Sequence, residues 1–252
     1  MSKDADRAAR PSGAETAVPT GGPLVFLLSP ASLRGVRGRR IVGGREGPGR
    51  RDASETRRGD DPGDDTAPVP DPAAVLHSGG AVPLGHVYAH ISSLYYRGKR
   101  AYARRFGRRL HGDPVLAITS TRGLVPDSRL VDLTDLEAFA RQEIDPDDPA
   151  YLEPLRTSSR ALLHELTRDP ERAPGYPRVV LLGSIATRKY LDPLVAVFGE
   201  RLWIPREFVG RGDMSRGGLL LRAARSGREL ELIPARGARR HGSRPPRLPR
   251  RS

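Results

Sequence analysis

Two short runs constrain this chain more than anything else in it. Residues 24–28 read LVFLL and residues 178–182 read RVVLL. A strand with one wet face alternates polar and apolar residues, so a run without alternation marks a strand buried on both faces. Pro23–Ser29 and Arg178–Leu182 are therefore predicted as inner strands, with Pro114–Thr119 (PVLAIT) as a third. Helical patterns lie between them. In residues 86–110, Ile91, Tyr95, Tyr102, Phe106 and Leu110 recur at near-helical spacing. Leu133–Gln142 opens with a capping box of Thr134 and Glu137, and Ala150–Thr167 carries Leu152, Leu155, Leu162 and Leu163. A further helix follows Gly183-Ser184 and runs through Phe198. A short strand at 201–204, a helix at 219–224 and an alternating edge strand at 229–233 complete the pattern. Strands alternating with helices predict an α/β fold, a single three-layer domain with a mostly parallel central sheet.

Composition sets the limits of that domain. The 252 residues carry a net charge of +13, with 28 glycines and 24 prolines. Residues 1–21 are polar and without period. Residues 35–85 run from an arginine-rich stretch through the acidic GDDPGDD to a Pro-rich block. Residues 235–252 hold seven arginines and no acid. Such segments bury too little apolar surface to offset chain entropy. The expected organisation is thus disorder at 1–21, an α/β domain from 22–34 and 86–234, a disordered insertion at 35–85, and a disordered Arg-rich tail at 235–252. Arginine arms of this kind suit nucleic acid or an acidic partner, or reflect composition alone.

Several chemistries are excluded or disfavoured. Cysteine is absent, which removes disulfides, thiolate nucleophiles and zinc fingers. The histidines form no metal-ligand spacing, so no metal or cofactor is expected. No G-x-S-x-G elbow is present. The apolar runs are too short for a membrane span and the first twenty residues lack a signal-peptide core, so a cytoplasmic protein with no membrane partner is expected.

Ligands of open α/β sheets bind beyond the carboxyl ends of the strands. The residues there are Ser29 and Ser32 after the first strand, Thr119 and Arg122 after the second, and Gly183 and Ser184 after the third. After the fourth comes GRGDMSRGG (residues 210–218), with Arg211, Gly212, Asp213, Ser215, Arg216 and Gly217. Hydroxyls, glycines and arginines suit an anion: backbone N–H groups approach it and guanidinium forks match phosphate or carboxylate. The plain alternatives are a tight turn with Ser184 as helix cap, and Asp213 or Ser215 capping the next helix. Asp213 is the lone acid of this set and the candidate general acid or base. The glycines of the loop are read as openings through which a ligand reaches the backbone.

The first long helix carries seven basic residues and no acid between Arg97 and Arg109, interleaved with tyrosines. Arg97, Arg100, Arg104 and Arg108 form a candidate nucleic-acid-binding face. The alternative is a core of tyrosines with arginines solvated or paired to Asp145, Asp147 and Asp148.

The segment Val115–Ser128 (VLAITSTRGLVPDS) resembles a strand–turn segment of the uracil-DNA-glycosylase-like middle domain of archaeosine synthase and of related bacterial proteins. There a strand ends in a Ser/Thr turn followed by Gly-Leu-Val-Pro, and the order of surrounding elements is similar. The blocks VVLLGSIATRKYLDPL and FVGRGDMSRGGLLLR look like those of a bacterial family. The resemblance implies an α/β domain concerned with nucleobases or nucleic acid. The turn Ser29-Pro30-Ala31-Ser32 departs from the water-activating Asp or Asn that a uracil-DNA glycosylase carries, and the late loop lacks its His. Three readings follow: a protein acting on a nucleotide, nucleobase or nucleic acid through an anion site at the strand ends; a non-catalytic nucleic-acid-binding protein using the basic helix and the arms; or a structural subunit whose arms dock an acidic protein.

Overall fold

The computed structural model describes residues 21–43, 71–169 and 175–243. In chain order the elements are β1 (Leu24–Leu28), α1 (Val36–Val42), α2 (Pro72–His77), β2 (Val82–Pro83), α3 (Leu84–Ile91), α4 (Ser93–Phe106), β3 (Val115–Thr119), β4 (Gly123–Pro126), β5 (Leu130–Val131), α5 (Leu133–Arg141), α6 (Pro149–Thr167), β6 (Arg178–Leu182), α7 (Arg188–Phe198), β7 (Leu202–Pro205), α8 (Asp213–Ser226) and β8 (Leu232–Pro234). The main sheet has six strands in the order β4-β3-β1-β6-β7-β8. Its four inner strands are parallel and its two edges antiparallel. Helices α4 and α8 pack together on one side and α6 and α7 on the other, a three-layer α/β domain. All five residues of β1 are inaccessible to solvent, as the unbroken LVFLL run requires. Among the described residues no helix is long and apolar enough to cross a membrane.

Chain order fixes one special place. From β1 the chain moves to β3 on one side, then returns past β1 to β6 on the other. The sheet therefore reverses its winding between β1 and β6, where such folds open a crevice beyond the strand ends.

Several expectations are corrected. The insertion expected at 35–85 is ordered at both ends: α1 buries Ile41 at 1% exposure, and α2 starts on an Asp71 cap whose side chain accepts from the Ala73 N–H. Residues 44–70, 1–20 and 244–252 lie outside those described. The tail starts later than residue 235, because Ala235 is buried and its N–H donates to the Leu202 carbonyl at 2.8 Å. The helix expected over 86–110 is two, broken at Ser92, whose φ of −116° and ψ of 71° lie outside the helical region. The cap of α5 is Asp132, bonded to the Asp135 N–H at 2.8 Å, rather than Thr134. Helix α8 begins at Asp213, six residues before its expected start.

Candidate functional site

The site begins with a contact between two glycines. A Cβ on Gly98 would lie 2.6 Å from the Gly217 carbonyl oxygen, and one on Gly217 would lie 2.9 Å from the backbone of Leu94 and Tyr95. Helices α4 and α8 thus touch backbone to backbone. Each glycine adjoins a cation in sequence: Lys99 follows Gly98, and Arg216 precedes Gly217. The close approach brings both cations to the carboxyl ends of β1 and β6.

Lys99 is 1% exposed. Its ammonium donates to the Ser29 carbonyl and, at 3.0 Å, to Ser29 Oγ. The Tyr95 and Tyr96 rings lie 4.5 and 4.8 Å from Nζ. Its bonded partners are neutral oxygens. Burial pulls its pKa down to about 7; Asp213 opposes this, Arg216 adds to it, and Asp127 opposes it again.

Arg216 is 5% exposed. It donates to the Phe208 carbonyl at 2.9 Å and reaches the Gly183 carbonyl at 3.4 Å, while its buried Nε finds no acceptor. Its carboxylate neighbour is Asp213 at 3.5 Å, whose side chain is two-thirds exposed. The buried Tyr95 hydroxyl makes no hydrogen bond of good geometry. Burial pushes its pKa up to about 12, against the pull of Arg216 and with that of Asp213. Burial likewise raises Tyr190, with Tyr95 and Asp213 adding to the effect. Tyr190 also lines a cleft of about 330 Å³, together with Pro30, Ser32, Tyr88, Ser120 and Lys189.

The expected site residues divide. Ser29, Gly183, Asp213 and Arg216 meet at this edge, and Ser184 stands half-buried beside Gly183. Ser32 is exposed on the neighbouring cleft. Arg211 donates to Ser215 Oγ at 3.1 Å on the outer lip, and Gly212 is the exposed N-cap of α8. Neither Asp213 nor Ser215 caps that helix by a side-chain bond, and Ser184 does not cap α7, which starts beyond Thr187. Gly217 serves the helix contact instead of opening the backbone to a ligand. Thr119 closes the β3–β4 turn, donating to the Gly123 carbonyl and accepting from the Arg122 N–H, and Arg122 pairs with Asp135. Those two residues hold a hairpin.

Of the basic face on and just beyond α4, Arg97, Arg104 and Arg108 are exposed and Arg100 is half-buried, and several of these arginines pair with carboxylates. Arg100 and Arg104 reach one carboxylate, Asp127, at 2.8 and 2.9 Å, and Asp127 also accepts from the Tyr96 hydroxyl at 3.0 Å. Arg108 pairs with Glu229, and Arg97 is exposed. The partners are thus Asp127 and Glu229, in place of Asp145, Asp147 and Asp148.

Lys99, Tyr95 and Tyr190 were not foreseen as site residues. The available signal was a lysine on the tyrosine-bearing stripe of α4, four residues after Tyr95. No family model, curated protein or solved structure matches the chain.

Proposed function

We propose that this protein binds a small anionic ligand of the nucleotide or nucleobase class at the carboxyl edge of its sheet, in the crevice between β1 and β6. One observation carries the reading: Lys99 and Arg216, both buried, meet there, and the carboxylate beside Arg216, Asp213, is mostly exposed. Buried charge is costly unless paired, and the Lys99 amine bonds the neutral oxygens of Ser29. An anion at this edge offsets that cost. The buried Arg216 Nε, which has no acceptor among the described residues, and the Tyr95 hydroxyl beside Arg216 are donors for it. Tyr190, half-buried on the adjoining cleft, offers aromatic surface to a planar base, and Asp213 reaches solvent, as proton exchange with a ligand requires. The resemblance of Val115–Ser128 to a uracil-DNA-glycosylase-like domain supports the nucleobase part.

Calorimetric titration with uridine monophosphate, uridine, uracil and inorganic phosphate tests the proposal. The monophosphate is expected to bind at least tenfold more tightly than uridine, and Arg216→Ala to weaken it by about ten- to a hundred-fold, as for loss of a charge-assisted bond of roughly 1.5–3 kcal/mol. Absence of binding by every anion in the set overturns it.

A further inference from the structure

Ser29 and Lys99 have a relationship that ligand binding alone does not use. Ser29 is the first residue beyond the central strand, and its Oγ lies 3.0 Å from the Lys99 amine. A lysine that served only to cap the end of β1 would be a costly choice, since a neutral donor could bond the same carbonyl without burying a charge. A neutral lysine amine, by contrast, carries a lone pair that accepts a hydroxyl proton, and Ser–Lys pairs of this geometry activate serine in unrelated folds.

We propose that Ser29 and Lys99 form a nucleophile–base dyad that cleaves an uncharged acyl compound, an ester in the simplest case. The inference goes beyond the anion site proposed above and does not rest on it, since a bound anion holds Lys99 in its ammonium form. Lys99 takes the hydroxyl proton of Ser29 as Oγ attacks the acyl carbon. The bond from that carbon to the leaving oxygen breaks, and the Lys99 ammonium returns the proton to the departing alcohol. Water, deprotonated in turn by Lys99, attacks the acyl-serine, releases the acid and restores the hydroxyl. The buried Tyr95 hydroxyl, beside Arg216, supplies a donor at the same edge for the oxyanion. The cleft of about 330 Å³ begins at Pro30, the next residue, and gives the acyl group room. Lys99 is the base only when neutral, and burial brings it near neutrality at pH 7.

Diisopropyl fluorophosphate, a small serine probe, tests the dyad on the full-length protein. Peptide mapping is expected to place the label on Ser29, with labelling about tenfold slower at pH 6 than at pH 8, following the neutral fraction of a base of pKa about 7. Lys99→Met, checked for native circular dichroism, is expected to label at least a hundred-fold more slowly at pH 8. An unlabelled Ser29, a rate independent of pH, or a folded Lys99→Met that labels as fast as the parent each overturns the dyad. Calorimetry and labelling of the parent separate the two proposals. Monophosphate binding without labelling of Ser29 overturns the dyad and leaves the anion site standing, whereas labelling of Ser29 without monophosphate binding leaves the dyad standing and overturns the anion site.

Discussion

Gly98 and Gly217 face each other across α4 and α8 so closely that a Cβ on the first would lie 2.6 Å from the carbonyl oxygen of the second. The atom met is backbone and has no rotamer to escape into. Gly98→Ala is therefore expected to destabilise by about 1–3 kcal/mol, although alanine is the better helix former. Gly217→Val should cost more, since its Cβ meets backbone at 2.9 Å and carries two further methyls. Urea unfolding measures both. A neutral or stabilising outcome for Gly98→Ala would contradict the backbone contact.

Asp127 is wholly buried and accepts from Tyr96, Arg100 and Arg104. It ties α4 to the segment between β4 and β5. Asp127→Ala leaves Arg100 and the Tyr96 hydroxyl without their acceptor. The expected loss is about 3 kcal/mol, at the low end for a broken buried pair because Arg104 is 40% exposed. Arg104→Ala should cost much less, since Asp127 keeps Arg100 and the Tyr96 hydroxyl as donors. Equal losses for the two variants in urea unfolding would contradict this division.

Lys99 makes stability depend on pH in a defined direction. Its pKa is about 7 in the fold and 10.5 unfolded, so between those values the unfolded chain holds the extra proton. Its destabilising contribution is full below pH 7 and fades as pH rises toward 10.5. The difference in unfolding free energy between the parent and Lys99→Met should thus move in favour of the parent above pH 7, with a limiting slope of about 1.4 kcal/mol per pH unit. A difference that stays flat from pH 6 to 9 would show that the lysine is not desolvated.

The inner strands were legible because a strand covered on both faces leaves an unbroken apolar run, as in Leu24–Leu28 and Arg178–Leu182. The antiparallel edge β4 was not, since Gly123–Pro126 is four residues whose only marks are a turn and a glycine. That glycine sits at φ +62°, where a Cβ would strike the Pro154 carbonyl at 2.2 Å, a tertiary fact without local trace. Composition misled at Ile41 and Leu76, buried side chains that anchor short helices inside an otherwise polar stretch. At the site, Ser29, Gly183, Asp213 and Arg216 were legible from strand ends alone. Lys99 was hidden because it comes from the middle of a helix, and helix position says nothing of proximity to a strand end until the packing of α4 is known. The glycines at 217 and 218 looked like openings for a ligand because sequence does not distinguish a backbone that meets a ligand from one that meets another helix.

The chain has three lysines, Lys3, Lys99 and Lys189, so lysine labelled with carbon-13 at Cε gives a spectrum simple enough to follow each amine by nuclear magnetic resonance. Titration of the free protein is expected to show one signal, lost in Lys99→Met, moving with a midpoint near pH 7. Adding uridine monophosphate at pH 7.5 should return that signal toward its protonated position, because a bound anion favours the ammonium form, and Arg216→Ala should abolish the response. A Lys99 signal that titrates near pH 10.5, with no change on adding the monophosphate, would contradict the account of a desolvated Lys99 beside Arg216 at an anion site.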